Sequence, residues 1–286
     1  MMKRIRSFAF FLFLFGTCLS CFMSVSVTAK KKAYKELSFD ENWKYASFSK
    51  IHDGKARLYR STAKTPKNIV VCVNAGHGTK GGEEVKTQCH PDGSPKIVSG
   101  TTKAGQTEAF AVSSGMSFSD GTPESTVTLS LAKLVKKKLL EDGYDVLMIR
   151  EEDDIQLDNI ARSVFANVYA DCHVALHYDS TSDNKGAFFL SVPEDKAYRS
   201  MEPVRSFYTA HLDFGHSLIE GLEKKDVKIF NEGAMPMDLT QTSYSKVPSV
   251  DIEVGDAGSD YSEAAQTKIA DGILEGLHIY FEKESE

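Results

Sequence analysis

Two histidines each follow a short apolar run of the sequence. His77 stands between two glycines just after the run 69–73, and His177 closes the run 174–176. Taken alone, each histidine is explained equally well without a chemical role, His77 as a turn residue and His177 as a hydrogen-bonded core residue. If both runs are strands of one sheet, however, the two imidazoles lie near each other at its edge. Neutral imidazole is a good ligand for zinc, so the pair predicts a metal site.

A carboxylate farther along the chain is the candidate third ligand. Glu124 lies in the first turn of a helix that Thr122 and Pro123 are expected to begin. The helix dipole favours a carboxylate at this position even when it has no other role. Two histidines and one glutamate that leave a fourth position open for water are nevertheless a common catalytic zinc set. Glu83 and Glu108 are the alternative carboxylates.

Glu253 interrupts the apolar run 250–254, which we predict to be a strand. Asp251 has the same parity as Glu253, so both side chains point to one face of that strand. An edge strand with one face in solvent would explain both carboxylates. The alternative is that Glu253 is catalytic and acts beside the metal, taking a proton from water and passing it to the leaving amine.

Segments of strand and helix character alternate from residue 68 onward. The predicted strands cover 69–73, 144–149, 172–176, 186–192 and 250–254, and the predicted helices cover 122–142, 157–169, 202–224 and 262–281. This alternation predicts a single catalytic domain of the α/β class at 68–286. We expect a mainly parallel (mixed) twisted sheet of about six strands with helices on both faces. Ligands of such folds bind at the carboxyl ends of strands, which is where His77, His177 and Glu253 are expected.

Four segments resemble, in the same order, the motifs of the zinc-dependent N-acetylmuramoyl-L-alanine amidases. They are Val-Cys-Val-Asn-Ala-Gly-His-Gly at 71–78, the strand at 144–150, the block from Arg162 to His177, and the Glu-x-Gly block at 250–255. The resemblance implies that His77, Glu124 and His177 bind one Zn²⁺ per chain and that Glu253 serves catalysis. The implied substrate is peptidoglycan, cut at the lactyl amide that joins N-acetylmuramic acid to L-alanine.

The chain departs from the pattern of that family at three places. Asn74 stands where the family commonly has Asp, and Tyr178–Asp179 stands where it usually has Ala-Asn. These two changes alter the surroundings of the proposed ligands rather than the ligands themselves. The third departure is the long interval before Glu124. Its residues 79–121 are rich in Gly, Ser and Thr, and we expect them to line or cover a groove for a long polymer.

Two other functions fit the same residues. A zinc peptidase that cuts within the peptidoglycan stem peptide would use the same metal ligands. A non-catalytic wall-binding or regulatory module would keep the fold without turnover. The sequence also leaves open whether an activator protein is needed.

The first 29 residues have the pattern of a secretory signal peptide. A basic start at 3–6 precedes an apolar run at 8–22, and Val27-Thr28-Ala29 suits cleavage. The alternative is an uncleaved N-terminal anchor, which would be the chain's one association with a membrane. We predict a polar lead-in or stalk at 30–67 and a secreted protein that is associated with the cell wall.

The overall charge argues against nucleic acid as a partner. The formal net charge is −6, and loss of the three basic residues and no acidic ones in 1–29 would make it −9. Binding to nucleic-acid phosphates requires a basic patch, which an acidic chain of this kind does not offer.

Overall fold

A mixed sheet of eight strands runs through the structure, a computed structural model that describes residues 33–283. The predicted signal peptide or anchor at 1–29 lies outside the described residues. The strands are β1 (Tyr34–Ser38), β2 (Lys55–Tyr59), β3 (Val70–Ala75), β4 (Lys86–Gln88), β5 (Glu108–Phe110), β6 (Asp145–Met148), β7 (Cys172–Asp179), β8 (Ala187–Ser191), β9 (Ile229–Pro236) and β10 (Ser249–Asp256). The α-helices are α1 (Glu124–Asp142), α2 (Asn159–Tyr169), α3 (Lys196–Ser200), α4 (Val204–Lys224), α5 (Thr240–Tyr244) and α6 (Glu263–Lys283).

The centre of the sheet is parallel and its flanks are mixed. The strand order is β1-β2-β6-β3-β7-β10-β8-β9, and β4 and β5 form a separate hairpin. Neighbouring strands among β6, β3, β7 and β10 are parallel. The β1–β2, β2–β6 and β10–β8 pairs are antiparallel. The predicted mainly parallel sheet is therefore confirmed, and the carboxyl ends of β3, β7 and β10 meet at one edge.

Helices cover both faces of the sheet, as predicted. Val71 and Val73 of β3 pack in the core that contains α1, α4 and α6. Cys72, which points the other way, packs in the core that contains α2. A strand buried on both faces has a continuous apolar run instead of an alternating one, which is why this strand was predictable. None of the helices in residues 33–283 has both the length and the apolar character that crossing a membrane requires.

Part of the segment 30–67, predicted as a polar lead-in, belongs to the sheet. The strands β1 and β2 pair with each other, and β2 continues the sheet at β6. Leu37 and Leu58 are buried against the α2 side of the core. The other residues of the edge strand β1 and of its neighbour β2 are mostly polar or charged, so no apolar run marks these strands in the sequence. The prediction of about six strands therefore missed β1 and β2, and it missed β9 as well. The sheet has eight strands.

Residues 79–121 form a long insertion between β3 and α1 that contains the β4–β5 hairpin. The carboxylate of Asp238, which follows β9, accepts hydrogen bonds from the backbone N–H of Ile97 (2.7 Å) and of Val98 (3.1 Å). A ring nitrogen of His90 lies 3.1 Å from the same carboxylate. These contacts fasten the middle of the insertion to the segment that follows β9.

Candidate active site

His77 lies just beyond the end of β3 in an unusual backbone conformation. Its φ is 62°, in the left-handed region that residues other than glycine rarely adopt. Its Nδ1 donates to the carbonyl oxygen of Ser113 at 2.8 Å. This contact holds the ring against the insertion, and Nε2 faces Glu124 and His177.

His177 lies within β7, two residues before the strand ends at Asp179. We expected the strand to stop at residue 176, but Tyr178 and Asp179 continue it. The ring of His177 rests on the backbone of Gly76, where an added Cβ would lie 2.3 Å from the imidazole. Glycine is needed at position 76 because this close approach leaves no space for a side chain.

Glu124 is the carboxylate that the structure brings to the two histidines. It is the first residue of α1 and is only 2% exposed. One of its oxygens accepts from the backbone N–H of Met116 and the other from that of Tyr178, both at 3.0 Å. The alternative Glu83 instead accepts hydrogen bonds from Ser114.

The donor atoms of His77, Glu124 and His177 converge. Nε2 of His77 lies 2.9 Å from Oε2 of Glu124, and Nδ1 of His177 lies 3.1 Å from Oε1 of Glu124. The two ring nitrogens are 3.0 Å apart. Ligand atoms at roughly 2.0–2.1 Å from a tetrahedral zinc lie roughly 3.3 Å from one another, so the spacing and the donor types both fit this metal. Within residues 33–283 this is the one group of three His, Cys, Asp or Glu residues whose atoms are close enough to hold an ion.

The charges in this cluster stabilise an ionised Glu124 carboxylate next to a protonated His177. Burial alone would raise the pKa of Glu124, but hydrogen bonds from His177 and His77 hold that pKa well below its usual range. Burial opposes protonation of His177 as well, yet the carboxylates of Asp251 and Glu124 raise its pKa to about 10. A cation at this position would take the place of the proton that the cluster otherwise attracts.

Two carboxyl groups of β10 face the same side of the sheet as His177. Glu253 pairs with His177 across the β10–β7 ladder, and Asp251 pairs with Ala175. Oε2 of Glu253 and Oδ1 of Asp251 are buried, and neither has a hydrogen-bond partner among the described residues. Burial raises the pKa of both carboxyls, and the proximity of Asp251 raises that of Glu253 further, against the opposing effect of His177.

Below the site, two buried arginines hold the backbone of the His77 turn. Arg162 donates to the carbonyl oxygen of His77 at 2.8 Å and to Oδ1 of Asn74 at 3.1 Å. Arg150 donates to the carbonyl oxygen of Gly76 at 2.9 Å. Asn74 therefore still supports the turn, although it departs from the family's common Asp.

A cavity of about 730 Å³ opens over these residues. Its floor contains His77, Glu124 and His177 together with Asp251 and Glu253. One wall comes from the insertion, at 98–102 and 109–116, and another comes from the segment 235–241. The insertion thus lines the cavity, as its composition and length had suggested.

The chain matches a known protein family in sequence and several solved amidases in fold. Residues 71–278 match the family model described as N-acetylmuramoyl-L-alanine amidase. No curated protein sequence matches the chain. The amidase Ami1 from Mycobacterium smegmatis has a similar structure (19% identity, TM-score 0.58, 77% of this chain and 100% of that chain covered).

Two further solved structures are similar at comparable levels. One is an N-acetylmuramoyl-L-alanine amidase from Clostridium difficile 630 (15% identity, TM-score 0.53, 76% of this chain and 98% of that chain). The other is the CwlD amidase from Clostridioides difficile, solved in complex with the GerS lipoprotein (17% identity, TM-score 0.52, 76% of this chain and 100% of that chain). At these identities the similarity establishes a shared fold.

Proposed function

Because the chain belongs to the N-acetylmuramoyl-L-alanine amidase family, we propose that it hydrolyses the amide between N-acetylmuramic acid and L-alanine in peptidoglycan, with zinc as its cofactor. The observation that supports this proposal best is the convergence of His77, Glu124 and His177 on the floor of an open cavity. Peptidoglycan lies outside the cytoplasm, so we also propose a secreted, cell-wall-associated protein.

In this proposal His77, Glu124 and His177 would hold one zinc ion. When bound, zinc supplies Lewis acidity toward a carbonyl oxygen and lowers the pKa of water. The protein's own contribution is to present two ring nitrogens and one carboxylate, and the second nitrogen of His77 already has a partner in the carbonyl oxygen of Ser113. Both oxygens of Glu124 accept backbone N–H bonds, so its carboxylate is fixed in orientation.

Glu253 would move the proton. It lines the cavity beside His177, and one of its oxygens is buried without a partner among the described residues. Burial raises its pKa, and a carboxyl group with a raised pKa is suited both to accept a proton from attacking water and to return it to the leaving amine.

The amine that is released tests the proposed bond. Purified peptidoglycan is incubated with the protein, the new amino groups are labelled, and their residues are identified by mass spectrometry. We expect L-alanine at the new amino terminus, with turnover abolished by a chelator and restored by zinc.

The same experiment separates the two alternatives. A different residue at the new amino terminus would indicate a peptidase that acts within the stem peptide. A protein that binds zinc and peptidoglycan but releases no amine would be a binding or regulatory module. Either result would overturn the proposed amidase activity.

A further inference from the structure

The two histidines of the site present different ring nitrogens to Glu124. His77 uses Nε2, while its Nδ1 lies 2.8 Å from the carbonyl oxygen of Ser113. A carbonyl oxygen can only accept, so Nδ1 of His77 carries a hydrogen, and the neutral ring then has its lone pair on Nε2. The state in which His77 can bind a metal is therefore set by a backbone group.

His177 has the opposite arrangement and needs a different partner. It presents Nδ1 to Glu124 and to His77, so Nε2 must carry the hydrogen if Nδ1 is to bind a metal. The carboxylate oxygen Oδ2 of Asp251 lies 3.6 Å from this Nε2. That distance is longer than a formed hydrogen bond by about half an ångström, and such contacts commonly shorten when a site is loaded.

The ladder between β10 and β7 explains how Asp251 reaches the ring. Asp251 pairs with Ala175, which lies two residues before His177 on the same face of β7. From this position the Asp251 carboxylate extends along the strand toward the imidazole of His177. Its second oxygen, Oδ1, is buried without a partner among the described residues. Leaving a buried oxygen unpaired costs free energy, so a contribution to folding does not explain a carboxylate at this position.

We propose that Asp251 is a positioning residue, which accepts a hydrogen bond from Nε2 of His177 and so keeps the Nδ1 lone pair directed at the metal position. Asp251 contacts the ring nitrogen that points away from the three converging donors, so it acts through His177. Glu253, the neighbouring carboxylate on this face, keeps the proton-transfer role. The inference rests on the proposed function for the presence of zinc.

Zinc affinity measured by competition with a chromogenic chelator tests this role. We expect Asp251→Ala to weaken zinc binding by about 10- to 100-fold, the usual effect of losing a hydrogen-bond partner of a metal-binding histidine. Asp251→Asn keeps an acceptor oxygen without the charge, so it should recover most of that loss. The matched control is Asp183→Ala, which removes an exposed carboxylate from the loop after β7 and should leave zinc affinity unchanged.

Circular dichroism shows whether each variant is folded, and the near-isosteric Asp251→Asn gives a second comparison if the alanine variant fails to fold. Zinc affinity in Asp251→Ala equal to that of the parent would overturn the proposal, as would equal losses in the asparagine and alanine variants. A parent protein that binds no zinc would overturn it as well. Failure of the amidase proposal looks different, because the parent would then bind zinc tightly and release no amine.

Discussion

The site cluster and the cluster of His90 with Asp238 both combine buried histidine with carboxylate, yet they differ in how completely their polar atoms are paired. Around Asp238, the carboxylate receives the ring of His90, two backbone N–H groups and the ammonium of Lys96. The second ring nitrogen of His90 lies 2.9 Å from the hydroxyl of Ser94.

In the site cluster, by contrast, the donor atoms converge on one another beside a cavity. His77 and His177 present ring nitrogens 3.0 Å apart, and buried oxygens of Asp251 and Glu253 have no partner among residues 33–283. A fully paired polar cluster stabilises a fold, whereas converging lone pairs and unpartnered oxygens raise its free energy unless something binds there. Residue type and burial are similar in the two clusters, so what distinguishes the functional cluster from the structural one is how completely its polar atoms are hydrogen-bonded.

The largest effect is expected from Glu253→Gln. This change keeps the shape of the side chain but removes its ability to accept a proton from water, so turnover on peptidoglycan should fall by about 10²- to 10⁴-fold. Folding should not be weakened, because the replaced carboxyl group has a buried oxygen without a partner. The measurements are the initial rate of amine release and the thermal midpoint.

Glu232→Gln is the matched control for that variant, because Glu232 is exposed on β9. Its rate should equal that of the parent. If Glu253→Gln keeps a rate within a few-fold of the parent, Glu253 is not the proton carrier and the assignment of the functional cluster must change.

A smaller effect, and on stability rather than on chemistry, is expected from Asp238→Ala. The change leaves buried His90 and two backbone N–H groups without their acceptor and removes the carboxylate that pairs with the ammonium of Lys96. The free energy of unfolding should therefore fall by about 3–5 kcal/mol. Urea unfolding measures this loss, and chelator competition should show zinc affinity unchanged. If zinc affinity falls together with stability, the two clusters are not separable.

The stability difference between the parent and Asp238→Ala should also depend on pH, which gives a second test of the same contacts. Burial alone would raise the pKa of Asp238, but the contacts with His90, with backbone N–H groups and with Lys96 lower it. The unfolded chain has the higher pKa, so the contribution of Asp238 is complete above about pH 4 and is lost as the pH falls through the depressed folded value. The difference in stability between parent and variant should therefore be constant from about pH 7 to pH 5 and shrink below about pH 4.

The smallest effect is expected from Glu83→Gln. Glu83 accepts hydrogen bonds from Ser114 and does not belong to the three converging residues. Zinc affinity of Glu83→Gln should differ from that of the parent by less than about twofold. Zinc affinity of Glu124→Gln should fall by at least the 10- to 100-fold expected for Asp251→Ala, because Glu124 is a proposed ligand and Asp251 only positions one. A larger loss in the Glu83 variant than in the Glu124 variant would reverse the assignment of the third ligand.

The sequence predicted those parts of the site that follow buried strands. His77 and His177 each follow a continuous apolar run, which is characteristic of a strand covered on both faces. Glu253 lies in the run 250–254, where apolar residues alternate with carboxylates and still indicate a strand. Glu124 was harder to predict, because the insertion separates it from His77. The start of its helix also differs from the prediction, since Pro123 is the N-cap residue, Glu124 is the first helical residue, and no side chain caps the helix.

Other features depend on pairing that a single sequence does not encode locally. The edge strand β1 and its neighbour β2 are mostly polar, so in the sequence they resemble a polar lead-in. The contact between Asp251 and His177 follows from the register of β10 against β7, and parity alone places Asp251 only on the correct face. The anchoring of the insertion joins His90 to a residue 148 positions away.

The support that Arg150 and Arg162 give to the His77 turn has a consequence for the energetics of cofactor loading. Three consecutive carbonyl oxygens, those of residues 75, 76 and 77, already accept hydrogen bonds from these two guanidinium groups. The turn is therefore rigid before any cation arrives. Little conformational entropy remains to be lost at that step, so more of the intrinsic coordination energy is retained as affinity.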